Sequence, residues 1–156
     1  MTTPQNLLKR RPGTTREEFS KYWETKHALI VLPWALKYGI TYYAQIHDMS
    51  LQSPIDDMSL NLQEWDGASE MISTASEEDK AAWRANDPCY LGYYQHVIVP
   101  DEERFLIDKA ASHVKTIKPG TVTGRKVVII EDGKALVDAG EEIMTLWNQW
   151  MDGDSR

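Results

Sequence analysis

Tyr43, Gln45 and His47 occupy alternate positions of one short run, Ile40 to His47, that is rich in strand-forming residues. At that spacing a phenol, an amide and an imidazole share one face of a strand, with Thr41 beside them, while Ile40, Tyr42, Ala44 and Ile46 make the other face apolar. The polar face can hydrogen-bond a phenolic or carboxylate oxygen, with His47 as a candidate catalytic group, or it can serve as the polar part of an interface. His27 is the first choice for proton transfer. It falls at the edge of the apolar face of a helical pattern made by Phe19, Tyr22, Trp23, Lys26, His27 and Ile30. An imidazole titrates near neutral pH and can donate or accept a proton there; a backbone carbonyl can also satisfy such a histidine inside a core. Tyr22 and Trp23 can stack on a flat ligand or fill the core. His96 alternates with Gln95 in a later run and faces either a lumen or the covering helices. Asp87 before Pro88 reads as a turn residue, and Asp101 to Glu103 as a solvated turn or helix start.

These residues limit the chemistry. His27, His47, His96 and His113 are scattered without paired ligands at short spacing, so no metal site is expected. There is no glycine-rich phosphate loop, no Gly-x-Ser-x-Gly elbow and no flavin or nicotinamide fingerprint, so any reaction is expected to use side chains alone, without cofactor. The net charge of -7 repels phosphate backbones and anionic lipid, which argues against nucleic acid and membrane partners. Six Trp and seven Tyr against two Phe supply rings with a polar handle, suited to interfaces and to pockets for flat ligands as well as to plain core packing. The single Cys89 forms no internal disulfide, and with the polar stretch Met1 to Asn6 followed by one apolar pair, Leu7-Leu8, neither a leader nor a spanning segment is expected there. The expectation is a soluble cytoplasmic protein.

A chain of 156 residues, 42% hydrophobic, has room for one sizeable core. A strand over Asn6 to Arg10 precedes the break at Pro12-Gly13, and Thr15 with Glu18 has capping-box spacing, so a helix starts there. Pro33 is expected to kink or end it, with Trp34 to Tyr38 able to resume it before Gly39. Strand 40–47 follows, then a loop over 49–57, a third strand over 60–65, helical pieces over 68–85 and a fourth strand over 93–99 ended by Pro100. This βαββαβ order predicts an α+β, ferredoxin-like domain with an antiparallel sheet and helices on one side. The uncovered side would carry Tyr43 into water, so a second subunit or a ligand is expected to cover it. Beyond Asp101, a hairpin over 125–137 turning at Asp132-Gly133 and a short helix over 141–151 complete the chain.

Lys9-Arg10-Arg11-Pro12-Gly13, Glu18-Phe19, Tyr22-Trp23, His27, Tyr43-Ala44-Gln45-Ile46-His47, Glu64-Trp65-Asp66-Gly67 and Pro100-Asp101-Glu102 with Phe105 form an ordered series. In that series the chain resembles the EthD family of small dimeric α/β-barrel proteins. The resemblance implies a ferredoxin-like domain over 1–108, a C-terminal extension over 109–156 packed on it, and a homodimer. It is similar to the fungal branch found in aromatic polyketide clusters, which implies a cofactor-free decarboxylase of anthraquinone-type carboxylic acids. In that reading His27 and His47 are catalytic, and Tyr22, Trp23, Tyr43, Gln45 and His96 bind substrate. Dehydratase, aldol cyclase and non-catalytic polyketide-binding protein are the alternatives on the same scaffold.

Overall fold

The computed structural model describes residues 3–52 and 60–153. Its first strand, β1 (Gln5–Leu8), alternates faces, with Gln5 and Leu7 on one side and Asn6 and Leu8 on the other. After Pro12-Gly13, Thr15 Oγ1 accepts from the Glu18 N–H and a Glu18 carboxylate oxygen accepts from the Thr15 N–H, each at 3.0 Å. This capping box opens helix α1 (Arg16–Tyr22), which runs through a π-helical turn (Trp23–His27) into α2 (Ala28–Lys37). Pro33 lies inside α2 without ending it, because the face formed by Ala28, Val31, Leu32 and Ala35 is buried in the largest apolar cluster. Gly39, at φ 91°, turns the chain into the next strand, where a Cβ would stand 3.1 Å from the Ala75 backbone nitrogen.

Strands β2 (Ile40–Leu51) and β3 (Gly67–Ser73) pair antiparallel, and β3 also pairs with β1. The third strand therefore starts seven residues after its expected start at Leu60 and occupies the region read as helical. The expected strand 60–65 is instead a short 3-10 turn, Leu62–Glu64, whose neighbours Leu60 and Trp65 pack on the apolar cluster of Leu7, Ile46, Ala68 and Val122. Period alone could not reveal this, because Gly67–Ser73 becomes a strand through partners on both sides. Asp66 holds the entry to β3, accepting from the Arg10 backbone N–H at 2.8 Å, from the Arg16 guanidinium at 3.0 Å and from the Arg10 guanidinium. The expected loop 49–57 falls partly on residues outside the described ones; β2 itself continues to Leu51.

Helices α3 (Glu77–Asn86) and α4 (Pro88–Tyr93) follow, then a second π-helical turn (Tyr94–Ile98) and α5 (Val99–Phe105). The expected fourth strand over 93–99 is thus helical. The buried residues of α4 and this π turn, Cys89, Tyr90, Tyr93 and Ile98, pack together on α2. The fourth strand of the ferredoxin-like unit is β4 (Lys115–Ile117), reached through α6 (Ala110–His113). Strand β5 (Val122–Glu131) extends the sheet beyond β2, and β6 (Lys134–Ala135) closes a hairpin through Asp132-Gly133, both at positive φ. The order is β4-β1-β3-β2-β5-β6, antiparallel throughout. Helix α7 (Glu141–Asp152) sets Trp147 and Trp150 against Tyr93.

The sheet faces are reversed relative to the expectation for Tyr43. Tyr43, Gln45 and His47 are at most 2% exposed and lie under the helices, because α1 and the first π turn lay Trp23 across them. The open face carries Tyr42 and Ile72, which pair directly, and a Glu70 carboxylate bonded by Gln5 and Lys126. No helix among the described residues is long and apolar enough to cross a membrane.

Candidate active site

His27 closes the first π turn, whose extra residue rotates the helix face so that Trp23 and His27 both turn inward, at 1% and 5% exposure. Trp23 packs on Phe19 and on the His47 ring, with centroids 5.3 and 4.9 Å away. A Cβ on Gly67 would stand 2.6 Å from the Trp23 ring, so β3 passes beneath it only as glycine.

The second π turn delivers the partner. Ile98 at the end of that turn and Asp101, Glu102 and Phe105 in α5 are buried at spacings of three and four, which turns two carboxylates inward with two apolar residues. Asp101 Oδ2 lies 2.7 Å from His27 Nδ1, and Asp101 Oδ1 accepts from the Tyr22 hydroxyl at 2.5 Å. A carboxylate can only accept, so Nδ1 carries the hydrogen and Nε2 is the nitrogen that exchanges a proton. The Phe105 ring, 4.8 Å from the imidazole, holds its plane. Burial and the Asp101 carboxylate push the Tyr22 phenol up to about 12, so it stays a donor.

His27 lines a cavity of about 300 Å³ between the sheet and the helices, at the small end of the range for ligand pockets. Leu8, Trp23, Val31, Trp34, Ile98, Phe105 and Leu106 make its walls apolar, and Ala110, Ala111 and Val114 close it from the α6 side. The polar side chains on the wall are His27, Tyr43, Tyr94, Asn6, Ser69 and Glu102, with no Lys or Arg among the described lining residues. Glu102 is 7% exposed, and its Oε1 accepts from the Ala110 N–H at 3.1 Å. Burial pushes its carboxyl above the usual range, as do Asp101 and Glu103, against the opposite pull of the Ala110 N–H and of His27.

A second network lies beneath Trp23. Gln45 donates to the Trp23 carbonyl and to the Tyr43 hydroxyl, both at 3.0 Å, and its Oε1 lies 2.9 Å from His47 Nε2. His47 Nδ1 has no hydrogen-bond partner among the described residues, and burial, reinforced by Arg125, lowers its pKa to about 4. His47 is therefore a neutral core histidine at ordinary pH.

Of the residues singled out from sequence, His27, Trp23 and Tyr43 meet at the cavity. Tyr22 touches Asp101 from outside it, and Gln45 and His47 tie the sheet to the first helix below the wall. His96 does not join them: it is exposed and stacks on Trp150, with centroids 6.0 Å apart. Asp101 to Glu103, read as a solvated turn or helix start, do lie at the start of α5, but Asp101 and Glu102 are buried at the site and not solvated. The signal for them was present in the helical spacing of residues 98, 101, 102 and 105; Asn6, Ser69 and Tyr94 carried none. Among the described residues no three His, Cys, Asp or Glu side chains gather as metal ligands.

A search of curated proteins returned no match. The family model for the EthD domain matches residues 11–109, which hold both π turns, His27, Asp101 and Glu102. The chain belongs to the EthD domain family.

Proposed function

We propose that this protein is a cofactor-independent lyase that decarboxylates an aromatic polyketide acid of the anthraquinone or anthrone type, with His27 as proton donor. The observation that supports this reading best is the His27–Asp101 pair, 2.7 Å apart, on the wall of a largely apolar cavity. A β-keto or hydroxyaryl acid bound there places its carboxylate among Trp23, Val31, Trp34 and Phe105, with no Lys or Arg among the described lining residues to pair with it, so the charged ground state is poorly solvated, a cost that loss of carbon dioxide removes. As the bond to the carboxylate breaks, carbon dioxide leaves and the electron pair moves onto the adjoining carbonyl. Protonated His27, its imidazolium stabilised by Asp101, then delivers the Nε2 proton to the carbon, and Asp101 keeps the neutral imidazole oriented through Nδ1–H until solvent returns a proton to Nε2.

With Nε2 unprotonated, the same pair is a base, which supports dehydration or aldol cyclisation as the second reading. Incubating the purified protein with a panel of polyketide acids separates the two by mass. Loss of carbon dioxide fits the first reading, loss of water the second, and no mass change over any acid counts against both.

We further propose a cytoplasmic homodimer, with the open sheet face covered by a second copy. Tyr42 and Val128 are only partly covered there and Ile72 is 44% exposed, while Glu70 is already paired, so the face is apolar at its centre.

A further inference from the structure

We propose that Glu102 is a second catalytic acid of this cavity, presenting Oε2 as an O–H donor to the substrate oxygen beside the carbon that His27 protonates. This rests on the lyase reading and adds the group that receives the displaced electron pair.

The placement follows from α5. Asp101 is turned onto His27 Nδ1, and the next residue is rotated by about 100° around the helix axis, which aims Glu102 at the cavity. Its two oxygens are inequivalent. Oε1 is taken by the Ala110 N–H, whereas Oε2 has no hydrogen-bond partner among the described residues. A neutral carboxyl held this way carries its proton on Oε2, since Oε1 must accept. Burial favours that neutral form, as do the neighbouring acids Asp101 and Glu103. In the reaction, the carbon–carbon bond to the carboxylate breaks, its electron pair converts the neighbouring carbonyl to an enolate, and the Glu102 O–H stabilises that oxygen. Carbon receives the proton from His27, the carbonyl re-forms, and Glu102 keeps its own proton, so one external proton is consumed for each carbon dioxide released.

The same contact should hold a phenolic ligand that cannot react. Binding of alizarin, a dihydroxyanthraquinone, is read by quenching of tryptophan fluorescence in wild type, Glu102→Gln and Glu102→Ala. In the Gln variant Ala110 fixes the amide oxygen, so the NH₂ group points into the cavity and replaces the O–H donor. Affinity within about threefold of wild type is expected for Gln and at least about tenfold weaker for Ala. Melting curves confirm that each variant is folded, with Gln retaining the Ala110 contact. The proposal is overturned if Ala binds within about threefold of wild type, if Gln is as weak as Ala, or if wild type does not bind the dye. Decarboxylation assays separate it from the reading beneath it. If His27→Ala stops carbon dioxide release and Glu102→Ala does not slow it, the Glu102 proposal fails and the lyase reading stands. If no acid releases carbon dioxide, the lyase reading fails and the catalytic role of Glu102 fails with it, whatever the dye shows.

Discussion

Asp101 Oδ2 lies 2.7 Å from His27 Nδ1 although the two residues are 74 positions apart, each at or just beyond the end of a π-helical turn. Each π turn shifts the helix face by one residue, and the two shifts bring an acid and an imidazole together at a cavity wall.

Removing either partner should lower turnover by different amounts. His27→Ala is expected to slow release of carbon dioxide at least about a hundredfold, the low end for losing a general acid. Asp101→Asn keeps the shape but not the charge that stabilises imidazolium, and is expected to cost at least about tenfold in kcat with less change in KM. Steady-state rates on whichever acid reacts test both. Rates within about threefold of wild type in both variants would assign the chemistry elsewhere.

His47 should matter for stability and not for turnover. His47→Ala leaves Gln45 Oε1 without its donor and a hole under Trp23, and is expected to cost about 2 to 4 kcal/mol in urea unfolding. Folded His47→Ala should react within about threefold of wild type, since His47 is not on the cavity wall. A large loss of turnover without loss of stability would overturn the structural role.

The same histidine sets an acid limit. His47 has a folded pKa of about 4 against an ordinary 6.5, so the folded state resists a proton that the unfolded chain accepts. Above pH 6.5 there is no penalty; as pH falls from 6.5 towards 4 stability declines, by about 3 kcal/mol once both states are protonated. His113, also lowered by burial, acts in the same sense, whereas the raised Glu102 contributes stability below the usual glutamate pKa and loses it as pH rises. Urea midpoints at about pH 7.5 and about pH 4.5, for wild type and His47→Gln, isolate the His47 share as the difference between the two proteins. Equal pH dependence in both would remove it.

Gly67→Ala should damage the wall of the site from the sheet side. Its Cβ would meet the Trp23 ring at 2.6 Å and the Phe19 ring at 3.0 Å, both inside van der Waals contact. The expected cost is about 1 to 3 kcal/mol with a shifted tryptophan emission, read by thermal melting and fluorescence. A variant as stable as wild type, with unchanged emission, would mean that Trp23 can move without cost.

For the dimer, light scattering is expected to report twice the monomer mass, and Ile72→Asp to shift it to monomer while leaving the far-ultraviolet circular dichroism intact. A wild-type monomer would leave the open face to another partner.

Much of the local structure was legible because short-range chemistry determines it. The Thr15–Glu18 capping box, the Gly39 turn, the Asp132-Gly133 hairpin and the helix carrying Trp147 all depend on neighbours a few residues away. The two faces of β2 followed from period two, but which one lay under the helices did not, because alternation has no sign until a partner such as Trp23 covers one side. Residues 67–73 became a strand, and 93–99 a helix, through long-range pairing and packing that outweigh local propensity. For the same reason the sequence put His27 forward as a proton-transfer residue, while its partners were decided only in three dimensions. A carboxylate 74 residues away reaches the imidazole because α5 packs against the first π turn, and its burial, which separates a working acid from a solvated turn, is a property of that packing.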